Sequence, residues 1–319
     1  MTVGIVGVKE FLRPARPMLG PVLGFPAPLV RGVVRAIPNG NVKRAFWQLI
    51  GNPISHGSWR FTAPTAFGFE LHGNTVDFLD RYVYFFGVWE PNLSYWITQR
   101  LRPGDTFVDV GANIGYYTLL ASRLVGADGR VVAVEASPRV FHRLERNLAL
   151  NHTANVRAIN VAVSDRPGEI ELYDGPISNS GKTSILRASG RPRSGTIHAA
   201  PLAAILTDHE FASARIIKID VEGAEWLVVS GLADVLGRTR FDAEFVIEVS
   251  PSWLASMQRR PEDIIDIFAR DGFNAYTMIN DYHSNSYVDG TPYAPPQRLS
   301  GPLTETCDIV FSRLDQREL

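Results

Sequence analysis

The chain has 319 residues and one cysteine, Cys307. One thiol cannot form an internal disulfide and excludes a metal site of clustered thiolates; such scarcity fits a reducing, cytoplasmic setting. Strong charge of either sign is also missing. The net charge is -1 and the pI about 6.7, so the broad positive field of a general nucleic-acid binder is absent. No apolar run in the basic N-terminal stretch can cross a bilayer: its longest uncharged segment, Pro17 to Val30, has 14 residues, four of them proline. Repeats, low-complexity tracts, a G-x-x-x-x-G-K-[ST] phosphate loop and a Ser/His/Asp nucleophile order are missing too.

What charge there is lies unevenly. The first 50 residues carry Lys9, Arg13, Arg16, Arg31, Arg35, Lys43 and Arg44 against Glu10 alone, leaving the remainder at about -7. An arginine-rich, acid-poor start suits peripheral contact with an anionic membrane surface, while an arm lying over the core is the commoner use of such a terminus. Residues 1–98 read as that arm with a lid and helical lead-in, and 99–319 as the main domain. Ala45 to Asn74, aromatic and dotted with glycine, predicts short strands and turns; Asn74 to Asp105 predicts two helices.

Beyond Pro103-Gly104, strand and helix patterns alternate. "TFVDV" and "RVVAVEA" are β-branched runs typical of buried parallel strands, and "IGYYTLLASRLV" between them has helical spacing. "PRVFHRLERNLALN" predicts an amphipathic helix and "NVRAINVAV" a third strand. "GEIELYD", "RIIKIDV", "FDAEFVIEV" and "TCDIVFSR" predict further strands, and "PEDIIDIFARDGF" a helix stopped by Gly272. Such alternation predicts an α/β fold with a mostly parallel sheet covered on both faces. Ile185 to His198 interrupts the rhythm and reads as an excursion.

The chemistry gathers at "FVDVGANIGYYTLLAS". A strand, a glycine turn and a helix start present backbone N–H groups to a ligand. Asp109 precedes Gly111, Asn113 and Gly115, and a carboxylate there repels a diphosphate but attracts ammonium and sulfonium centres. S-adenosylmethionine has both cations, and a carboxylate for the turn amides. Glu135 closes the next strand, where an acid can accept two ribose hydroxyls, a role equally at home in a nicotinamide enzyme. Downstream, "KIDVEGAE" supplies Lys218, Asp220, Glu222 and Glu225, with Lys218 and Asp220 on one strand face. Asp220 is the first candidate for donor contact or proton acceptance and Lys218 the second; Glu225 fits a helix-dipole role. Asp220, Glu222 and Glu225 invite a divalent cation, yet no further ligand is fixed by spacing, so no metal site is assigned and metal dependence stays open. Glu90, Glu248 and His283 are candidates for the acceptor side; Trp89 could stack on a sugar ring, Tyr84 reads as core, and Asn179, Ser180 and Gly181 as a turn at the entrance.

Together "GDTFVDVGANIGYYTLLAS", "VVAVEASPRVFHRLERNLALN", "INVAVSD" and "IIKIDVEGAEWLVVSGL" resemble the FkbM family of S-adenosylmethionine-dependent methyltransferases, closely over Gly104 to Leu232. The resemblance implies a class I methyltransferase fold, Rossmann-like, with seven strands, parallel except for one near the C-terminus. It implies O-methylation of a sugar, glycolipid or polyketide-like metabolite. By position it makes Asp109, Gly111, Asn113 and Gly115 donor-turn residues, Glu135 the ribose ligand, and Ala162, Ser164 and Asp165 part of the adenine edge; it also raises Glu222. The competing expectations are an NAD(P)-dependent oxidoreductase on a similar sheet and a noncatalytic membrane-surface module acting through the basic arm.

Overall fold

The computed structural model describes residues 27–179, 181, 183–185, 192–290 and 292–319. Lys9, Glu10, Arg13 and Arg16 of the basic arm, Ser180 of the entrance turn and residues 186–191 of the excursion lie outside the described residues.

The strands, in chain order, are β1 Arg60–Pro64, β2 Glu70–Asn74, β3 Thr106–Val110, β4 Arg130–Val134, β5 Val156–Ile159, β6 Ala162–Val163, β7 Gly168–Tyr173 and β8 Arg193–Ala200. There follow β9 Ala214–Ile219, β10 Glu244–Val249, β11 Asn274–Met278, β12 Gln297–Arg298 and β13 Cys307–Ser312. The main sheet runs β12-β11-β13-β10-β9-β3-β4-β5. β10, β9, β3, β4 and β5 are parallel, and β13 inserts antiparallel between β10 and β11. This is the class I arrangement, with the two-residue β12 added at one edge, antiparallel to β11.

Period two divides the strands between two apolar layers. Val108, Ile217 and Ile247 enter one buried cluster; Phe107, Ile216 and Val246 enter the other. Each such side chain contributes about 1.5–3 kcal/mol on leaving water. That is why these strands read as continuous apolar runs. The two expected lead-in helices are Phe78–Phe86 and Pro91–Arg100, and Leu93, Trp96 and Ile97 of the second share the cluster of Phe107. Asp77 caps the first, its carboxylate accepting from Leu79 N at 3.1 Å, and Gly87 ends it at φ 80°.

Three expectations are corrected. Residues 41–55 are helical, as Asn41–Phe46, a π-turn Trp47–Gly51 and Asn52–Ser55, and only β1 and β2 form the expected hairpin. Trp47, Ile50 and Ile54 carry the helical spacing into one cluster. Gly51 is not a turn residue; a Cβ there would sit 2.4 Å from the Trp47 ring, so this glycine makes room for the indole. "NVRAINVAV" is not one strand: β5 belongs to the main sheet, while β6 leaves it to pair with β8 in a three-stranded sheet, β6-β8-β7. Asn160 marks the break, its Nδ2 donating to the carbonyls of Glu135 and Ala136 at 2.7 and 3.0 Å. The second half of the expected excursion is strand β8, paired antiparallel to β7.

The ends of β3 and β9 meet at Gly111. Its φ is +80°, and a Cβ would fall 1.8 Å from the Asp220 carbonyl oxygen, so backbone conformation and space both demand glycine. Gly111→Ala is therefore expected to lower stability by about 3 kcal/mol or more in urea unfolding; an unchanged midpoint would contradict this crossing.

Candidate active site

The glycine turn is braced from β4. Gly111 N and Ala112 N both donate to the Val134 carbonyl, at 2.8 and 3.0 Å, and Gly115 N donates to Ala112 O at 2.9 Å. Glu135 completes the brace, one oxygen accepting from Asn113 N at 2.9 Å and the other from Ser137 N at 2.8 Å. The amides of Gly111, Ala112, Asn113 and Gly115 are thus bonded within the protein itself. The turn also carries unpartnered acceptors, one at the cleft on Asn113 and one behind its wall on Asp109. Asp109 Oδ1 and Asn113 Oδ1 are buried without a hydrogen-bond partner, and buried acceptors of that kind call for a donor.

Lys218, on β9, is the ammonium at the centre. It is 3% exposed and donates to Asp220 Oδ2 at 2.9 Å, with its Nζ 5.0 Å from the Tyr117 ring centroid. Burial alone would push the amine's pKa down, but Asp220, Asp109 and Glu90 together hold it above lysine's ordinary value. The acids shift upward in turn. Burial raises Asp109 and Glu90, with Lys218 opposing in both. Burial, then the charge of Glu90, lifts Asp308 to about 8. Burial and the charges of Asp220, Glu222 and Asp308 push Glu248 well above the carboxylate range, and burial brings Glu135 to about 7. One ammonium faces several carboxylates that resist ionising together, so the site is short of positive charge.

Glu90 is the most constrained of these. Its carboxylate accepts from Tyr117 Oη at 2.5 Å and Tyr282 Oη at 2.6 Å, and its backbone sits at φ 39° directly before Pro91. Asn113 (φ 51°) and Glu222 (φ 47°) are also left-handed. All three line the central cleft, where strain of about 1 kcal/mol or more each is tolerated because the surroundings fix it.

That cleft, about 1960 Å3, brings together Gly111, Asn113, Glu135, Ala162, Lys218, Asp220, Glu222, Glu90, Glu248 and His283 of the sequence candidates. Asp109 and Gly115 stand behind its wall. Asp109 accepts from Thr118 Oγ1 at 2.6 Å; at Gly115 (φ 92°) a Cβ would meet Leu144 Cδ1 at 2.6 Å. Ser164 and Asp165 do not line the cleft; Ser164 N pairs with Ala200 O and its hydroxyl with Asp165, so only Ala162 and Val163 remain of the expected adenine edge. His283 is no plain loop residue: its Nδ1 accepts from Asn285 N and caps the helix Ser284–Asp289. Tyr84 packs in the core with Phe61.

Among the described residues, Asp220, Glu222 and Glu248 each place an oxygen within 4.8 Å of the others. Glu225, expected with this group, turns away and accepts from Gly223 N at 2.8 Å. The spacing suits a divalent cation, but Lys218 already holds Asp220 Oδ2, so a metal would compete with an internal ammonium. Tyr117, Tyr282 and Asp308 were missed in the sequence. Asp308 lies in "CDIV" one residue after Cys307, where a lone acid in an apolar strand was the available signal.

With the geometry set out, similarity to known proteins decides the family. The Methyltransferase FkbM domain model matches residues 109–275, more than half of the chain. The chain belongs to the FkbM methyltransferase family. Among relatives of this FkbM-family chain, 31-O-demethyl-FK506 methyltransferase FkbM of Streptomyces tacrolimicus is 30% identical over 163 residues, covering 42% of this chain and 62% of that protein. Hexuronic acid methyltransferase AglP of Haloferax volcanii is 28% identical over 145 residues, covering 46% and 57%. Arsenite methyltransferase of Halobacterium salinarum is 36% identical over 79 residues, covering 25% and 20%. The chain spans less than two thirds of the length of each.

Asp308 gives the FkbM-family chain a signed pH dependence. With a folded pKa of about 8 against an unfolded value near 3.9, its neutral form favours the fold. That contribution is full below pH 4 and is lost as pH rises through 8. Asp308→Asn should therefore flatten the loss of stability between pH 5 and pH 9 by about 2 kcal/mol or more in urea titrations; parallel wild-type and variant curves would contradict it. Glu135→Ala removes the brace of Asn113 N and should raise the dissociation constant of S-adenosylhomocysteine about tenfold or more by calorimetry. An unaltered constant removes Glu135 from the site.

Proposed function

We propose that this chain transfers a methyl group from S-adenosylmethionine to a hydroxyl of a sugar, glycolipid or related metabolite. The carrying observation is the charge balance around Lys218: Asp220, Asp109 and Glu90 surround one ammonium, and orphaned buried acceptors on Asp109 and Asn113 flank the turn. A cationic donor relieves that imbalance, whereas a diphosphate would add to it. FkbM-family membership supports the same reading, and so do the relatives named for methyl transfer to a hexuronic acid and to a demethylated FK506.

The donor-side residues would be Asn113 and Asp220 for cationic centres, with Asp109 contributing charge from behind the wall, Glu135 for ribose hydroxyls, and Ala162 and Val163 for the flat base. When bound, the donor supplies an electrophilic methyl on a positively charged sulfur. The protein's own share is alignment, proton removal and enclosure. Alignment can contribute about 7–11 kcal/mol, and a positioned base roughly 10²–10⁴ in rate. Asp220 is the proposed base: its side chain is 33% exposed in the cleft and Lys218 fixes one oxygen, which leaves the other to take the hydroxyl proton. Lys218 keeps Asp220 oriented and offsets its charge. Glu222 and Glu248 bound the same space, and Trp89 and Tyr282, ring centroids 5.5 Å apart, supply an apolar wall on which a sugar face can rest.

The test is transfer of label from methyl-tritiated S-adenosylmethionine to a panel of glycans and glycolipids. Label should enter an ether that survives alkaline hydrolysis, and Asp220→Asn should slow it about 100-fold while changing donor affinity far less. Equal rates in the variant would eliminate Asp220 as base. Label in alkali-labile ester would overturn hydroxyl methylation.

A further inference from the structure

Among the described cations lining the cleft, Lys218 is held by Asp220 and Arg298 by Asp315, while Arg81 has neither an ion pair nor a task in methyl transfer as proposed. Arg81 lies in the first turn of the helix Phe78–Phe86, half-buried, and lines the same cleft as the donor turn. Its Nη1 lies 2.5 Å from His56 Nδ1, its Nε is buried without a hydrogen-bond partner, and its guanidinium lies 5.8 Å from the Phe78 ring centroid. No carboxylate among the described residues forms an ion pair with it. The contrast with Arg143 is direct, since that guanidinium meets Asp80 at 2.6 Å and Asp77 at 3.9 Å.

The groups facing Arg81 explain why its charge stays uncompensated. Partial desolvation and the Arg81 charge hold His56 below histidine's ordinary pKa, so the ring is a neutral acceptor rather than a second cation. Tyr82 and Asp77 act on Arg81 through charge alone, and Asp77 caps the helix through Leu79 N and lies 3.9 Å from Arg143. Asp281, also in the cleft, is occupied by His283 N and the Ser286 hydroxyl. The donor-side acids gather around Lys218. The cleft is thus polarised, with several carboxylates around one ammonium at the donor turn and a guanidinium short of an anion elsewhere along its wall. A desolvated guanidinium opposite a neutral imidazole costs free energy that a carboxylate or phosphate oxygen would offset by a charge-assisted bond.

Resting on the methyl-transfer reading, we propose that Arg81, with His56 against it on the cleft wall, forms the anion-binding end of the acceptor site. The acceptor then carries a carboxylate or phosphate remote from its reacting hydroxyl. The opposite charges of the two regions orient it: the anion is drawn to Arg81 and repelled from the donor-side acids, so the hydroxyl end is the end left to approach Asp220. A neutral acceptor would gain no such orientation.

Calorimetric titration of the full chain tests this with methyl glucuronide, glucose 6-phosphate and methyl glucoside, with and without S-adenosylhomocysteine. At least one anionic sugar should bind about tenfold or more tighter than the neutral one, with an affinity that weakens as salt rises. The two anionic arms separate a carboxylate acceptor from a phosphorylated one. In Arg81→Gln the preference should vanish while S-adenosylhomocysteine affinity holds, and in Arg81→Lys part of it should return. Equal binding of the three sugars, no binding of either anionic one, or a preference that survives in Arg81→Gln overturns the proposal. The wild-type comparison alone decides if the glutamine variant fails to fold. Failure of S-adenosylhomocysteine to bind would end the methyl-transfer reading and leave the anion preference readable in the titrations without it.

Discussion

A buried ammonium needs a counter-charge, and at Lys218 the protein supplies more than one. The ammonium can be 3% exposed because Asp220 accepts a hydrogen bond from it at 2.9 Å and Asp109 and Glu90 stand within its field. Each of those acids is in turn placed by the fold. Asp109 is fixed by its strand and by Thr118, Asp220 by the backbone bond from its N to Val110 O at 3.0 Å, and Glu90 by two tyrosine hydroxyls. Removing Asp220 would take away the one acid that bonds directly to the buried ammonium. The donor end of the cleft is consequently a rigid electrostatic object, set before any ligand arrives.

Glycine and strain serve that object. Gly111 lets the ends of β3 and β9 approach until the Asp220 carbonyl occupies the space of a missing Cβ. Asn113, Glu90 and Glu222 then accept left-handed backbone so that their polar groups face the cleft. Amides spent on Val134 and Glu135 keep the turn fixed. On the proposed reading, selectivity in such a turn comes from side-chain acids, with the backbone serving as scaffold.

Much of this was legible in the sequence because it depends on local pattern. Parallel strands buried on both faces read as β-branched runs, and the acids at strand ends stood out against them: Asp109, Glu135 and the Lys218–Asp220 pair all follow from period two and position. What failed depended on distant partners. Gly51 resembled a turn residue until the Trp47 ring accounted for it, and β6 left the main sheet because Asn160 bonds two carbonyls beside β4. Ser164 and Asp165 lay close in sequence to cleft residues but pair with each other and with β8. Tyr117 and Tyr282 could not be found by spacing, since they converge on Glu90 from 27 and 192 residues away.

The central claim is that a surplus of carboxylate around Lys218 selects a positively charged sulfur compound. Calorimetric titration of the intact chain with S-adenosylmethionine and with NADP⁺, at matched ionic strength, measures that preference directly. The account predicts saturable binding of S-adenosylmethionine and no heat from the dinucleotide. Uptake of the dinucleotide with no response to S-adenosylmethionine would contradict it.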